Sequence, residues 1–231
     1  MCPRSKSLAK LAQFFNFHTH TISQNPKEKS IYNLLIQDAD EFENLQNNWI
    51  SVGIHPWYTD AENWKEQLQI VEKTAVNECV LAIGECGLDR LIELPLDKQL
   101  MIFEAQVAVA ERFQKPVIIH CVRAFSELLQ WKKQKKQTVP LIVHGFNNKP
   151  EMARQLVAHG FYFSLGTALL QSNSNAVKVL KMIPVTRLFL ETDDKDMSIV
   201  KVYEAAALHL EMTVCALKNQ IWTNFATVFK R

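Results

Sequence analysis

The 231-residue sequence predicts an α/β fold, a closed (β/α)₈ TIM barrel. Eight short apolar runs have the nearly continuous β-branched and aromatic composition of strands that are buried on both faces. From the third run onward they alternate with amphipathic stretches of helical periodicity, which is typical of a parallel sheet. No Pro-, Gly- or Ser-rich linker separates two periodic regions, so we expect one domain over residues 1–231, with residues 1–13 as an N-terminal extension. A doubly wound open sheet is the alternative architecture.

The predicted strands are, in chain order, Phe14–His18, Ile31–Ile36, Trp49–Ile54, Glu78–Gly84, Pro116–His120, Pro140–His144, Gly160–Leu165 and Arg187–Glu191. The clearest helices between them are predicted over Leu96–Phe113, Phe125–Lys136 and Glu151–His159, where apolar residues recur at helical spacing. The connections over Thr21–Ser30 and Gln37–Asn48 are short and polar. We therefore expect little helical covering over the first third of the barrel.

Composition and charge narrow the class of protein. Apolar residues make up 48% of the chain and charged residues 22%, as in ordinary globular proteins, and the net charge of +2 predicts no strong electrostatic partner. No apolar run approaches the length of about 20 residues that a membrane-spanning helix needs. The first residues lack the apolar segment and cleavage site of a signal peptide. Five cysteines without a Cys-x-x-Cys spacing argue against a disulfide framework and a cysteine zinc site, so we expect a cytoplasmic protein.

Histidines mark the carboxyl ends of the predicted strands. Five of the seven histidines lie there, namely His18, His20, His55, His120 and His144. Two carboxylates, Glu85 and Asp193, also end strands. In a parallel barrel the carboxyl ends of all strands meet at one face, where the following loops form the active site. The sequence therefore predicts that these side chains share one cavity.

The predicted cluster has the composition of a metal centre. His18 and His20 lie two residues apart on a strand, so their side chains point the same way, whereas Phe15 and Phe17 point to the opposite face. Clustered imidazoles and carboxylates need a shared cation to be satisfied. The predicted ligands are His18, His20, Glu85, His120, His144 and Asp193. Six ligands exceed the three or four that one catalytic zinc takes, so we expect two divalent ions bridged by Glu85, with Zn²⁺, Mn²⁺ and Mg²⁺ as candidates.

The ordered motifs resemble a known family. They are His18-Thr-His20, Gly53-Ile-His55-Pro56, Ala82-Ile-Gly84-Glu85-Cys-Gly87-Leu88-Asp89, Val117-Ile-Ile-His120-Cys121, His144-Gly145-Phe146 and Glu191-Thr192-Asp193. Taken in this order, they are similar to those of the TatD family of metal-dependent hydrolases, which are amidohydrolase-like TIM barrels. The resemblance runs from about Phe14 to the last predicted helix near Phe229.

The resemblance implies an activity and a division of the ligands. It implies a metal-assisted phosphodiesterase, a 3′→5′ deoxyribonuclease, with a weaker expectation of activity on RNA. It also implies that His18, His20, Glu85 and Asp193 hold one metal, and that Glu85, His120 and His144 hold the other. We assign Asp193 and Glu85 as catalytic, with Asp193 as the general base that takes a proton from water activated by the metals.

A phosphodiester substrate needs positive charge on its non-bridging oxygens. We expect Arg123 and Lys149 to bind the substrate, with Arg90 and Lys195 as further candidates, and His55 to donate a hydrogen bond. A solvated surface position is the alternative for each of these cations. Trp57 and Tyr58 either stack on a base or pack at the rim of the barrel.

Three positions depart from the family pattern. Asn16 stands where the family usually has Asp, Asp194-Lys195 follows the last Asp in place of Ser-Pro, and Val122-Arg123 replaces an Arg-Asp pair. None of these departures removes a predicted ligand. They bear on substrate contacts rather than on the metal centre.

The predicted partner is DNA, as single strands or frayed ends, because an intact duplex is too wide to enter a barrel mouth. We expect a monomer with no membrane association. Two other functions stay open at this point. The same type of centre can hydrolyse an amide or an ester, and a barrel can bind metal without turnover. Assays on oligonucleotides, amides and esters distinguish these possibilities.

Overall fold

The computed structural model describes residues 13–230, and it contains all eight predicted strands. They are β1 (Phe14–Thr19), β2 (Glu28–Leu35), β3 (Trp49–Gly53), β4 (Val80–Asp89), β5 (Val117–Val122), β6 (Leu141–Val143), β7 (Tyr162–Leu165) and β8 (Leu188–Leu190). Of the predicted N-terminal extension, residues 1–12 lie outside the described residues. Gln13 donates a hydrogen bond from its side chain to the Pro26 carbonyl at 2.7 Å.

Eight α-helices lie within the described residues. They are α1 (Phe42–Leu45), α2 (Trp64–Ala75), α3 (Leu96–Phe113), α4 (Phe125–Gln134), α5 (Pro150–Ala158), α6 (Asn175–Leu180), α7 (Ile199–Leu210) and α8 (Val214–Phe229). The bounds of α3 agree with the prediction, and α4 and α5 agree to within two residues. Between β2 and β3 the chain forms only a 3₁₀ helix, Ile36–Glu41, and the one-turn helix α1. The predicted lack of a full covering helix in this connection is confirmed.

The described chain divides into two compact units. The central unit comprises residues 31–144 and 158–161, and the terminal unit comprises residues 13–30, 145–157 and 162–230. In the central unit, β3 pairs in parallel with β2 from Ile31 onward and with β4, and β5 pairs in parallel with β4 and β6. The expectation of a single domain stays a prediction.

Strand β4 was predicted to end at Gly84, but it continues for five more residues to Asp89. The added residues pair with β5, where Gly87 faces His120 and Asp89 faces Val122. All ten residues of β4 are buried. The apolar pattern underestimates the length of this strand because polar residues of the candidate site occupy its last positions. Buried polar groups are stable only where they have hydrogen-bond or charged partners.

Glycine is required where β4 approaches β5. Gly87 has φ +151°, and a Cβ there would lie 2.0 Å from the His120 carbonyl oxygen. Gly84 has φ +133°, and a Cβ there would lie 2.4 Å from the Ile118 carbonyl oxygen. A side chain at either position would therefore force the two strands apart, and with them the histidine and the glutamate that they carry.

The terminal unit joins the first strand to the last. β7 pairs in parallel with β8, and just beyond β8 Asp193 forms a parallel bridge with Thr19. The Asp193 amide donates to the His18 carbonyl at 3.0 Å, and the His20 amide donates to the Asp193 carbonyl at 3.1 Å. Pairing of the first and eighth strands is what a closed barrel requires.

The opposite face of β1 packs on the last helix, as its alternation predicts. Phe15 is fully buried, and its ring centroid lies 4.9 Å from that of Phe225 and 5.3 Å from that of Trp222, both in α8. The Phe17 ring stacks on Phe189 of β8 at 4.7 Å. This aromatic layer fixes β1, so that the alternate residues His18 and His20 point away from the helix.

None of the helices formed by residues 13–230 is long and apolar enough to cross a membrane. Within the same range, Cys86, Cys121 and Cys215 are free thiols.

Candidate metal centre

Strands β3 to β6 of the central unit bring four predicted site residues together around one oxygen atom. Glu85 Oε1 lies 2.6 Å from His144 Nε2, 2.8 Å from His120 Nδ1 and 3.2 Å from His55 Nε2. The Glu85 residue is only 4% exposed, and His55 and His120 are also buried. We call these four residues the Glu85 cluster. Three imidazole rings around one buried carboxylate form a donor set suited to a divalent transition metal.

His55 has a different chemical role from the two other histidines of the Glu85 cluster. Its Nδ1 accepts a hydrogen bond from the Trp57 amide at 3.0 Å, so the neutral ring carries its proton on Nε2. Burial is the main cause that lowers the pKa of His55, and His120 and His144 lower it further against the opposing effect of Glu85. Neutral His55 therefore donates from Nε2. That proton faces Glu85 Oε1 and His120 Nδ1, each 3.2 Å from Nε2, and the hydrogen bond from His55 to a substrate stays a prediction.

Asp89 contacts the Glu85 cluster, and no role was predicted for it. Its Oδ2 lies 3.2 Å from His120 Nε2 and accepts a hydrogen bond from Trp57 Nε1 at 2.7 Å, and its Oδ1 accepts from the Leu91 amide at 2.8 Å. Burial raises the pKa of Asp89, but the hydrogen bonds from Leu91, Trp57 and His120 outweigh it and hold the pKa below its usual value. Glu85, Gly87 and Asp89 alternate along one face of β4, but the predicted strand ended at Gly84, so this alternation was not recognised in the sequence.

Gln99 of α3 fixes the backbone of Asp89. Its Oε1 accepts from the Asp89 amide at 2.7 Å, and its Nε2 donates to the Asp89 carbonyl at 2.8 Å. Gln106 lies two turns further along α3. It makes the same pair of contacts to the backbone of Ile54, the residue before His55. Both glutamines are buried. One helix thus holds two strand ends of the Glu85 cluster through side-chain amides, which limits their movement.

The terminal unit holds a second group of predicted ligands, the Asp193 cluster. His18 Nε2 and His20 Nε2 lie 3.6 Å and 3.5 Å from Asp193 Oδ1, and the two imidazole rings are 5.2 Å apart. Asp193 has φ 55°, a left-handed conformation that aspartate tolerates better than most residues. That conformation follows the end of β8 and turns the carboxylate toward both histidines.

Glu191 is a further site residue that the prediction missed. It is fully buried, and its Oε1 accepts a hydrogen bond from the Gly145 amide at 2.6 Å. Glu191 directly follows β8, which ends at Leu190, and precedes Asp193 by two residues. The carboxylate of Glu191 therefore anchors the loop that follows β6.

The hydrogen bonds of Asn16 account for the asparagine at a position where the family usually has aspartate. Its Nδ2 donates to Thr192 Oγ1 at 2.8 Å and to Glu28 Oε1 at 2.9 Å, and its Oδ1 accepts from the Thr192 amide at 3.0 Å. An aspartate at this position would face the Glu28 carboxylate without a proton to donate. Asparagine supplies that donor, and so it ties β1 to the loop after β8 without a charge.

The predicted phosphate-binding cations differ in their surroundings. The Arg90 guanidinium pairs with Glu127 and donates to the Arg123 carbonyl, and Lys195 Nζ lies 2.8 Å from Asp194 Oδ1. Arg123 and Lys149 are exposed, at the loop after β5 and at the start of α5. Arg123 also has φ 51°, a left-handed conformation. Of these four cations, Arg123 and Lys149 are better suited to an anionic substrate because Arg90 and Lys195 already face carboxylates.

The donor atoms fit a divalent cation in chemical terms. One ligand atom from each of His55, Glu85 and His120 lies within 4.8 Å of the others. Because His55 donates from Nε2, His120 and His144 are the better ligands within the Glu85 cluster. His120 would offer Nδ1 and His144 would offer Nε2, which are the atoms that face Glu85. Imidazole and carboxylate donors suit Zn²⁺ and Mn²⁺.

Comparison with known proteins places this chain in a family. The family model described as TatD related DNase matches residues 27–230. The chain is 34% identical to an uncharacterized metal-dependent hydrolase, YabD of Bacillus subtilis, over 63% of this chain and 58% of that protein. It is 27% identical to the 3′-5′ ssDNA/RNA exonuclease TatD of Yersinia pseudotuberculosis over 75% of this chain and 72% of that protein. The match thus spans less than two thirds of YabD.

A solved structure supports the fold. The crystal structure of YjjV, a TatD homologue from Escherichia coli, matches with a TM-score of 0.80 at 21% identity, over 96% of this chain and 99% of the other. The predicted (β/α)₈ TIM barrel fold is thereby confirmed, with eight parallel strands and intervening helices. The family match over residues 27–230 includes both clusters apart from His18 and His20. This chain therefore belongs to the TatD-related family of metal-dependent hydrolases.

Proposed function

We propose that the protein is a deoxyribonuclease that hydrolyses phosphodiester bonds from the 3′ end of single-stranded or frayed DNA. The observation that carries this proposal is the Glu85 cluster, in which three imidazole nitrogens lie within 3.2 Å of one carboxylate oxygen. It occurs in a chain that matches the TatD related DNase family over most of its length. The name of the Yersinia relative, a 3′-5′ exonuclease, supports the direction of cleavage.

The proposed ligands are those of the sequence prediction. They are His18, His20, Glu85, His120, His144 and Asp193, and they would hold two divalent ions. When bound, such ions stabilise negative charge on the phosphoryl oxygens and lower the pKa of water. The bridging role of Glu85 stays a prediction.

Protein side chains would transfer the proton, donate a hydrogen bond and neutralise the charge of the substrate. Asp193 accepts the proton of the attacking water. Its side chain is 37% exposed, so water can reach the carboxylate, whereas the side chain of His18 is fully buried. His55 donates a hydrogen bond from Nε2 to a phosphate oxygen of the substrate, because its Nδ1 already accepts from the Trp57 amide. Arg123 and Lys149 offset the negative charge of the substrate phosphates.

The position of the site in the barrel makes cleavage depend on a free end of the DNA strand. In TIM barrels the active site lies among the loops at the carboxyl ends of the strands, and a site ringed by loops admits a flexible strand end more readily than a duplex. The test compares linear single strands with covalently closed single-stranded circles of the same sequence, using metal-loaded protein. We expect cleavage of the linear strand alone. Equal cleavage of both would contradict end dependence.

A matched control assigns the activity to this site. The variant Glu85→Gln preserves the shape of the side chain but removes its charge, and Glu93→Gln makes the same change at an exposed position of the central unit. Cleavage that survives Glu85→Gln would indicate a contaminating nuclease. Inertness of the wild-type protein toward DNA, combined with hydrolysis of small amides or esters, would overturn the proposed function in favour of an amide or ester hydrolase.

A further inference from the structure

Two large apolar side chains are exposed beside the Glu85 cluster. Trp57, in the 3₁₀ helix Pro56–Tyr58 after β3, is 60% exposed, and Leu91, two residues after β4, is 61% exposed. Most of the large apolar side chains between positions 13 and 230 are instead buried. Exposing a tryptophan costs the free energy that its burial would release, so a tryptophan in this position calls for a physical reason.

The exposed indole is held in one orientation. Trp57 Nε1 donates to Asp89 Oδ2 at 2.7 Å, and the Trp57 amide donates to His55 Nδ1 at 3.0 Å. Its ring centroid lies 5.0 Å from that of His55 and 5.8 Å from that of His120, and both pairs are edge-on. The side chain is therefore anchored at both its backbone and its ring, which removes rotamer entropy that a binding partner would otherwise have to offset.

The same carboxylate also binds the backbone of the neighbouring exposed leucine. Asp89 Oδ1 accepts from the Leu91 amide, while Asp89 Oδ2 accepts from Trp57. Buried Asp89 thus positions an aromatic surface next to two histidines of the Glu85 cluster. A rigid, exposed aromatic ring beside a polar reaction site is suited to a flat aromatic partner, and nucleobases stack on such rings with little dependence on sequence.

We propose that Trp57 is a stacking platform for the nucleobase of the nucleotide that enters the Glu85 cluster. This inference rests on the proposed function, because it takes the substrate to be a nucleic acid strand. It adds that the protein recognises the base as well as the phosphate. A strand that lacks its bases should then bind less tightly, although its phosphates are unchanged.

Binding tests the platform separately from cleavage. The probes are a phosphorothioate-linked hexathymidylate, which resists hydrolysis, and the same phosphorothioate backbone with abasic tetrahydrofuran sugars. Of the five tryptophans, Trp64, Trp131 and Trp222 are buried and Trp49 is half-buried, so quenching by a bound base should come mainly from Trp57. We expect the thymidylate to quench tryptophan fluorescence and to bind the wild-type protein about ten- to a hundredfold more tightly than the abasic oligomer.

Variants assign the preference to the indole. Trp57→Ala should bind both oligomers with similar affinity, whereas Trp57→Phe should keep part of the preference without the quenching. Val76→Ala is the control for lost exposed apolar surface, because Val76 is 68% exposed at the end of α2, and it should discriminate as the wild type does. Circular dichroism and thermal unfolding establish that each variant is folded.

The outcomes separate the two proposals. Equal binding of both oligomers by the wild type, no binding of either, or a preference that survives Trp57→Ala would overturn the platform, even if the protein cleaves DNA. A wild-type protein that prefers the thymidylate but cleaves no DNA would support the platform and contradict the proposed deoxyribonuclease activity.

Discussion

Asp89 Oδ2 lies 3.2 Å from His120 Nε2, while Glu85 Oε1 lies 2.8 Å from His120 Nδ1. A cation bound at Nδ1 would leave the imidazole proton on Nε2, where Asp89 can accept it. Histidine ligands of metals usually donate their other ring nitrogen to such an acceptor, which fixes both tautomer and orientation. Asp89 is thus placed to prepare His120 for a cation.

We expect Asp89→Asn to weaken binding of Zn²⁺ about 10- to 100-fold. The Asn amide can donate to Nε2 and so favours the tautomer that carries its proton on Nδ1. Isothermal titration calorimetry of metal-free protein measures the affinity, and Asp40→Asn, at an exposed aspartate of the central unit, is the control. An unchanged affinity in Asp89→Asn would exclude the orienting role.

Glu85→Gln should lower turnover by several orders of magnitude and reduce metal content, while the fold is retained. The neutral amide cannot balance a cation, and Glu85 is the residue on which three imidazoles converge. Elemental analysis and single-turnover kinetics measure the two effects, with Glu93→Gln as the control. Normal metal content in Glu85→Gln would contradict the assignment of Glu85 as a ligand.

Gly87→Ala should destabilise the protein by about 3 kcal/mol or more, because its Cβ would lie 2.0 Å from the His120 carbonyl oxygen at a φ of +151°. Gly160→Ala is a matched control. Gly160 also has a positive φ, +83°, but a Cβ there would meet no atom within 4 Å, so we expect a loss of only about 1 kcal/mol. Urea denaturation measures both. Equal losses would show that backbone strain, and not the close approach of β4 to β5, determines the cost.

The stability of the metal-free protein should fall as the pH decreases through 6.5, in part because of His55. Burial lowers the pKa of His55 below its ordinary value of 6.5, so in this range the unfolded chain binds a proton that the folded chain does not. The contribution of His55 is complete above pH 6.5 and is lost below it. His55→Asn keeps an acceptor for the Trp57 amide but does not titrate, so its unfolding free energy should depend less steeply on pH between 7.5 and 5.5. A slope equal to that of the wild type would refute the depressed pKa.

Arg123→Ala should reduce by about one unit the slope of the logarithm of DNA affinity against the logarithm of salt concentration, as loss of one phosphate contact does. Lys149→Ala should have the same effect. Lys133→Ala, at an exposed residue in the last turn of α4, should leave the slope unchanged. Filter binding at several salt concentrations measures the slope. A slope unaffected by Arg123→Ala would indicate that Arg123 is only a solvated surface residue.

The sequence was most informative where chemistry and periodicity coincide. Alternation in β1 put His18 and His20 on the face opposite Phe15, and Phe15 packs on Trp222 and Phe225 of α8 as that alternation requires. The positions of His120 and His144 at strand ends likewise brought both next to Glu85. These relationships depend on local geometry and can be read from a single chain.

The contacts that orient the site were harder to predict. Gln99 and Gln106 appear in the sequence as ordinary polar residues of an amphipathic helix, yet they are buried and bind the backbones of Asp89 and Ile54. Their role depends on how α3 packs against β3 and β4. Tertiary packing of this kind has no periodic signature, so it becomes visible only in the structure.

The bridge between Thr19 and Asp193 also has a consequence for the order of folding. These two residues lie 174 positions apart, and the hydrogen bonds between their strands complete the Asp193 cluster. During synthesis, His18 and His20 therefore emerge long before their carboxylate partner, whereas residues 31–144 are already available to form the Glu85 cluster. Closing so long a loop is slow compared with local pairing. We expect a nascent chain to assemble one cluster first and to acquire the other only when β8 has been translated.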